Sequence, residues 1–172
     1  MKKMKLIPVK VPWMISPAYE IEEFHGGLNE VSVEVACTRS RRETEKIINE
    51  LNKKYNNNIP DELWNMSSHL VVELQFEPVF FCKYSCQQPV YELDSNIYDL
   101  SLLDPLYDGT LNFHDIWNKK EICPDPGMYE VEGSKLKEKL HITNDAVKHW
   151  MIIGHEEEIH ALSRTFTWHE KK

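Results

Sequence analysis

The chain has 172 residues, of which 41% are hydrophobic and 28% are charged. This length and composition exclude a globally disordered chain and are typical of one globular domain. The formal net charge of −8 argues against general binding to nucleic acid or to anionic membranes. No apolar run could span a bilayer, and Pro8, Lys10 and Pro12 interrupt the apolar stretch that a signal peptide needs. We therefore expect one soluble, cytoplasmic domain over residues 1–172 with free thiols.

Two strands are predicted near the start of the chain. Residues 5–13 alternate in hydropathy, and their prolines favour a position at a sheet edge. Residues 30–37 alternate more cleanly and predict a half-buried strand, with one apolar face formed by Val31, Val33, Val35 and Cys37.

The main helix is predicted over residues 40–55. Ser40 and Glu43 have the spacing of a capping box, in which each side chain satisfies a free amide of the first turn. One apolar stripe follows at helical spacing, formed by Ile47, Ile48, Leu51 and Tyr55. A second, short helix is predicted over residues 60–66, with Leu63 and Trp64 facing inward.

The middle of the chain predicts an antiparallel meander. Residues 69–76 and 79–84 indicate two strands separated by Pro78, and residues 90–93 indicate a third. Residues 94–128 are irregular, apart from a short helix near residues 113–118. A further helix is predicted over residues 133–141, with Ser134 as its N-cap and with Leu136 and Leu140 facing inward.

The last strong pattern, over residues 146–168, predicts a C-terminal β-hairpin. A strand over residues 147–153 leads into a charged turn at residues 154–157, and an alternating strand returns. Taken together, the elements predict an α+β fold. Its antiparallel or mixed sheet has about five to seven strands, with the amphipathic helix over residues 40–55 packed on one face.

The sequence His155-Glu-Glu-Glu-Ile-His160 lies close to a metalloprotease motif but misses it by one residue. The zincin motif places two histidines at positions i and i+4 of a helix, whereas these two are at i and i+5. On a helix this spacing separates the side chains by roughly 140°. We therefore predict no metal and no cofactor.

The cysteines offer equally little support for catalysis. On an extended strand, the Cα atoms of Cys82 and Cys86 would lie about 13 Å apart, at roughly 3.3 Å per residue. A catalytic thiol at Cys123 would need a histidine beside it, and the sequence cannot place His114 or His141 there. No catalytic residue is predicted.

The strongest charge feature is the acidic segment, defined as residues 84–118. It contains six acidic residues, no lysine and no arginine, together with six aromatic residues. Acidic and aromatic side chains side by side suit recognition of a basic protein surface, although tyrosines that face the core and solvated acids would leave the same pattern. The candidate partner-binding residues are Tyr91, Asp94, Tyr98, Asp99, Asp104, Tyr107 and Asp108.

The sequence therefore predicts a non-catalytic cytoplasmic protein-binding protein, with neither nucleic acid nor membrane as a partner. One specific form is an immunity-type inhibitor that neutralises a basic toxin or nuclease. The alternative is a metal-dependent or thiol hydrolase that would combine Cys123 or His114 with the histidine-rich end of the chain. That end contributes His149, His155, Glu156, Glu158, His160 and His169.

Overall fold

A computed structural model of the protein describes residues 3–16, 21–27, 29–86, 93–103, 112–154 and 157–171. The helices are α1 (Arg41–Tyr55), α2 (Asp61–Met66), α3 (Phe113–Lys120) and α4 (Lys135–Lys139). The strands are β1 (Met4–Pro8), β2 (Trp13–Ile15), β3 (Ile21–Gly26), β4 (Val31–Arg39), β5 (His69–Cys86), β6 (Tyr98–Asp99), β7 (Met128–Glu132), β8 (Lys148–Ile153) and β9 (Glu157–Glu170).

Within these ranges, all nine strands belong to one curled, mixed sheet that forms a half-barrel. Its strand order is β2-β4-β5-β9-β8-β7-β1-β6, and β3 pairs with β4 along the same edge as β2. Only β1 and β6 pair in parallel among these strands, while the other pairs are antiparallel. The two longest strands, β5 and β9, lie side by side and form the longest ladder of the sheet.

The concave face of the half-barrel holds the larger core. The alternation in β4 places one set of side chains there, and Val33, Val35 and Cys37 are at most 1% exposed. From β8 and β9, Ile152 and Ile159 lie opposite each other in register and are both fully buried. The same core includes Trp13, Leu74, Phe76, Met128 and Trp150.

Residues 9–16 run between β7 and β4, which lie in different halves of the sheet. The amide of Val9 donates to the carbonyl of Met128 at the start of β7, and the amide of Ser16 donates to the carbonyl of Ala36 of β4. Gly127 is required at the closest approach: its φ is +70°, and a Cβ there would lie 2.9 Å from the Cβ of Ile15. Residues 9–16 thus link β4 to β7 by backbone hydrogen bonds and close packing.

A second, smaller apolar cluster covers the convex face near β1, β7 and β8. Its buried members are Met4, Leu6, Leu103, Tyr129, Val131 and Met151. Residues 93–103 cover this cluster, with Leu93, Tyr98 and Leu100 packed against it. Strands β8 and β9 are thus buried on both faces along part of their length.

The predicted fold class, α+β with five to seven strands and one main helix packed on the sheet, is wrong. The protein is mostly sheet, with nine strands among the described residues and four short helices that account for 23% of them. Helix α1 has the predicted bounds and Ser40 as its N-cap, yet none of its residues is fully buried. A capping box sets where a helix begins but carries no information on what the helix packs against.

Several element boundaries also differ from prediction. Residues 5–13 form two short strands rather than one, and Pro78 does not interrupt β5, which runs through it from His69 to Cys86. Trp64 was expected to face inward, but it is 50% exposed. Leu140 is likewise 39% exposed. The predicted C-terminal hairpin is present as β8 and β9.

The longest helix, α1, has 15 residues. Among the described residues, no helix combines the length and the apolar character that are needed to cross a membrane.

Candidate functional site

The acidic segment is described over residues 84–86, 93–103 and 112–118. Of the seven candidate partner-binding residues, Asp94, Tyr98 and Asp99 fall in these ranges. Tyr91, Asp104, Tyr107 and Asp108 lie outside the described residues. The structure therefore locates three of the candidates, and these three lie on residues 93–103, which cover the smaller apolar cluster.

Tyr98 takes the inward position of this covering segment. Its ring packs against the smaller cluster, and it is only half-exposed. Burial raises the pKa of its hydroxyl to about 12, with smaller contributions from the carboxylates of Glu158 and Asp94. Tyr98 is thus partly a packing residue, as the alternative interpretation of the tyrosines required. Trp117, another aromatic residue of the acidic segment, is also buried.

Asp94 and Asp99 have a more polar setting. The Asp94 carboxylate accepts the backbone N–H of Asn96 at 2.8 Å, and the Asp99 carboxylate accepts that of Ser101 at 3.0 Å. The bond from Ser101 lowers the pKa of Asp99 below its usual value, so this side chain stays ionised. Ile97 and Leu102 lie on the same segment, and each is 40% exposed. The surface of residues 93–103 thus combines fixed negative charge with exposed apolar area.

The histidine-rich end of the chain forms a second candidate site. His149 Nε2 lies 2.8 Å from His160 Nδ1, and His160 Nε2 contacts Glu158 Oε1. At the other end, His149 Nδ1 lies 2.7 Å from Ser134 Oγ. These contacts form one continuous hydrogen-bonded chain, Ser134–His149–His160–Glu158, which we call the histidine chain.

The β8–β9 register places the two histidines together. Residues directly opposite each other in antiparallel strands point to the same face. His160 pairs with Met151, and His149 pairs with Leu162, so these four side chains share the convex face. Ser134 reaches them from the turn after β7, where Gly133 has φ +68°, a conformation that favours glycine. Ser134 then caps α4 by accepting the backbone N–H of Lys137 at 3.1 Å.

The electrostatics constrain the direction of proton donation along the histidine chain. Burial, together with the neighbouring His160 and Lys137, lowers the pKa of His149 to about 3, so His149 is neutral at pH 7. The bond from His160 lowers the pKa of Glu158, which therefore stays a carboxylate and can only accept. His160 therefore donates to Glu158 through Nε2, and in the tautomer with His160 Nδ1 as acceptor, His149 donates through Nε2 and accepts through Nδ1. The Ser134 hydroxyl then donates to His149.

One end of the histidine chain borders a pocket of about 590 Å³. Ser134 and His149 both line it, although they are only 5% and 3% exposed. The pocket has a charged rim that includes Glu130, Glu132, Lys137, Glu138, Asp145 and Lys148. The chain thus connects a surface pocket to a carboxylate beneath the covering segment.

The remaining predicted candidates do not join this site. Burial raises the pKa of Cys123 to about 12 and that of Cys82 to about 11, so both are protonated thiols at neutral pH. His169 pairs with Glu73 of β5 at 2.9 Å. The His114 ring packs edge-on against Phe113. His155 and Glu156 lie outside the described residues.

A separate cluster on β3 and β4 has the composition of a metal site. Ligand atoms of Glu23, His25 and Glu34 all lie within 4.8 Å of one another. However, His25 Nε2 already bonds Glu23 at 2.8 Å, and the Lys171 ammonium already pairs with Glu34. A metal ion here would have to displace both of these partners, so we interpret the cluster as an ion-pair network.

Comparisons with known proteins add no relatives: no family description matches the chain, and neither does any curated protein or any solved structure. The site must therefore be judged from its own geometry. Sequence reasoning predicted Ser134 only as a helix cap and did not connect it to the histidines. The hairpin register was the signal that would have placed His149 and His160 on one face.

Proposed function

We propose that the protein acts in the cytoplasm by binding a basic protein partner through the surface of the acidic segment. An immunity-type inhibitor of a basic toxin or nuclease is the specific form that this function takes. The observation that supports it is the outer surface of residues 93–103. There, Asp94 and Asp99 stand beside the exposed side chains of Ile97 and Leu102.

Such a surface suits recognition because its two components act at different stages. Negative charge steers a basic partner during the encounter, and apolar area buried on contact supplies affinity. The two aspartates are held in place by backbone N–H groups, so little side-chain freedom is lost on binding. The cytoplasmic setting is supported by Cys82 and Cys123, whose thiols form no disulfide in the described part of the chain.

The test removes negative charges from the acidic segment and keeps side chains of nearly the same size. Asp94, Asp99, Asp104 and Asp108 are changed together to Asn, and partners are captured by affinity pull-down from the lysate of the producing cells. We expect the variant to lose the partner that the unmodified protein captures. The unmodified complex should also weaken as salt rises from about 50 mM to 500 mM, because exposed charges are screened beyond the Debye length.

A matched control removes the same number of charges from another surface. The exposed residues Glu43, Glu45, Glu50 and Glu62 on α1 and α2 are changed to Gln. We expect this control to keep the partner, because its acidic segment is unchanged although its net charge equals that of the Asn variant. If both variants lose the partner equally, binding depends on the net charge of the protein and not on the position of the acidic residues. If neither loses it, the proposed surface is not the binding site.

The thiol form and the metal form of the hydrolase alternative each meet an obstacle in the structure. A thiol nucleophile must ionise, and the raised pKa of Cys123 keeps its proton in place at neutral pH. For the metal form, the ring nitrogens of His149 and His160 that would bind an ion are already bonded to each other, to Ser134 and to Glu158. These contacts favour neither form over protein binding.

A further inference from the structure

The histidine chain has a property that a purely structural hydrogen-bond network does not require. It joins a serine hydroxyl at the border of a pocket to an ionised carboxylate through two imidazole rings. Serine activated by histidine, with a carboxylate behind it, is the arrangement used for nucleophilic acyl transfer on many unrelated folds.

We propose that Ser134 is a nucleophile for acyl transfer, activated by His149 and His160 and directed at neutral or cationic esters in the adjoining pocket. This activity is additional to the binding of a protein partner. It uses the pocket end of the convex face rather than the outer surface of residues 93–103. Ser134 and His149 would touch the reacting atoms, whereas His160 and Glu158 are positioning residues.

The hydroxyl of Ser134 has the bonding capacity that the reaction needs. It accepts the Lys137 backbone N–H at 3.1 Å, and in the tautomer with His149 Nδ1 as acceptor it donates its proton to that ring. A hydroxyl oxygen has two lone pairs, so one remains for attack on a carbonyl carbon. Because the cap bond and the bond to His149 fix the side chain, the nucleophile does not need to be reoriented when the substrate binds.

The step balances without any reagent other than ester and water. Ser134 Oγ forms a bond to the acyl carbon while its proton moves to His149 Nδ1. The proton on His149 Nε2 moves in turn to His160 Nδ1. As the acyl–oxygen bond breaks, the protons return along the same path and the leaving alkoxide is released as an alcohol. Water then attacks the acyl-serine in the same way and releases the carboxylic acid.

The second histidine explains how such a buried base can work. A proton left on His149 would create a charge inside the fold, and the low pKa of this ring opposes that. Passing the proton on to His160 moves the positive charge next to Glu158, where a carboxylate accepts the bond from Nε2. The relay thus separates the base that contacts the serine from the group that carries the charge.

The rim of the pocket indicates the substrate class. Four acidic residues and two lysines border it. Lys148 pairs with Glu130, and the Lys137 ammonium donates to the carbonyl of Val147 at 2.7 Å. The exposed acids Glu132, Glu138 and Asp145 therefore dominate the entrance, which disfavours anionic esters and favours neutral or cationic ones.

The test uses a fluorophosphonate, which transfers a phosphonyl group to an activated serine with loss of fluoride. The folded protein is incubated with the probe, and intact mass and peptide mapping follow the adduct. We expect one phosphonyl group, located on Ser134. Hydrolysis of neutral acetate, cationic acetylthiocholine and anionic hemisuccinate esters is then compared, and we expect the anionic ester to react most slowly.

Ser134→Ala should remove the adduct, and Ser40→Ala is its matched control. Ser40 is also a buried N-cap serine, and it accepts the backbone N–H of Glu43 without contacting a histidine. Loss of a helix cap alone would therefore affect both variants, whereas loss of the nucleophile affects only Ser134→Ala. If Ser134→Ala fails to fold, peptide mapping of the unmodified protein still identifies the labelled residue.

Variants of the relay separate activation from mere packing. His149→Gln and His160→Gln should slow labelling by about 100-fold or more, as expected for loss of general base catalysis. Glu158→Gln should slow labelling too, and Glu158→Asp should restore part of the rate because it restores the charge. The proposal is overturned if the folded protein gains no adduct, if the adduct lies on another residue, or if both histidine variants react at the unmodified rate.

Discussion

Helix α1 and the β8–β9 hairpin were both predicted from sequence, yet the rest of the fold buries them to very different extents. No residue of α1 is fully buried, and its stripe residues Ile47, Ile48 and Leu51 are only half-buried. In β8, four consecutive residues from His149 to Ile152 are buried, because one face meets the concave core and the other meets the convex cluster.

The difference shows what a local pattern can and cannot specify. The caps at Ser40 and Asn56 stabilise α1 from within the helix, and α1 makes few contacts with the rest of the described chain. The hairpin also has a local alternating pattern, but unlike α1 it is buried on both faces. The effects of mutations on the free energy of unfolding should therefore differ most between the two regions where burial differs. They should differ least where only local hydrogen bonds are removed.

The largest expected difference is in the cost of a truncated isoleucine. Ile152→Ala removes a fully buried side chain from the concave core and should lower the free energy of unfolding by about 2–5 kcal/mol. Ile48→Ala should cost below about 1 kcal/mol, because that residue is half-buried and alanine is the better helix former. Denaturant unfolding of the two variants and of the unmodified protein measures both losses in free energy of unfolding. Equal losses would mean that α1 is buried against something else.

A smaller effect concerns the pH dependence of stability. The pKa of His149 is about 3 in the folded state against 6.5 for an ordinary histidine. Between these values the unfolded chain binds one more proton, so the stabilising contribution is present above pH 6.5. It is lost as pH falls toward 3, by about 1.4 kcal/mol per pH unit.

The variant His149→Gln cannot bind that proton. Its free energy of unfolding should therefore fall less steeply than that of the unmodified protein between pH 6.5 and pH 4.5. Urea denaturation at half-unit intervals gives both slopes, and the titration of the carboxylates cancels in their difference. Parallel curves would show that His149 is protonated in the folded state as readily as in the unfolded chain.

The smallest expected effect lies at the N-terminus of α1. Ser40→Ala removes the side-chain acceptor for the Glu43 amide, which lies at 3.2 Å, and should cost about 1 kcal/mol. Ser40→Asp should restore most of that loss, since aspartate is an equally good cap. Thermal unfolding of the unmodified protein and of the two variants gives the order of their stabilities. A loss well above this value would indicate that α1 supports the sheet after all.

The sequence predicted the bounds of α1, the clean alternation of β4 and the C-terminal hairpin, because each depends on a pattern contained in the element itself. It did not predict β6 and β7, which have two and five residues. Such short strands carry too few alternating positions to be recognised, and tertiary pairing decides them. Pro78 misled the prediction of β5, because proline lacks an amide for the ladder and was taken as a break.

The histidine chain was harder to predict than the fold. Ser134, His149 and His160 lie in three separate elements, and only the register between β8 and β9 brings the two rings together. The turn at Gly133 then adds the serine from a third direction. The acidic segment, in contrast, was visible in composition, but composition does not tell that Tyr98 faces the apolar cluster while Asp94 faces solvent.

The position of β9 in the sheet has a consequence for the order of folding. This strand follows the other eight described strands in the sequence, yet it pairs with both β5 and β8 near the middle of the sheet. Before β9 is in place, the half formed by β2–β5 and the half formed by β1 and β6–β8 lack the strand that pairs with both. Most of the contacts that join the halves thus span long stretches of chain, as with Val72 and Glu170. Folding should be slow compared with that of helical proteins of similar size.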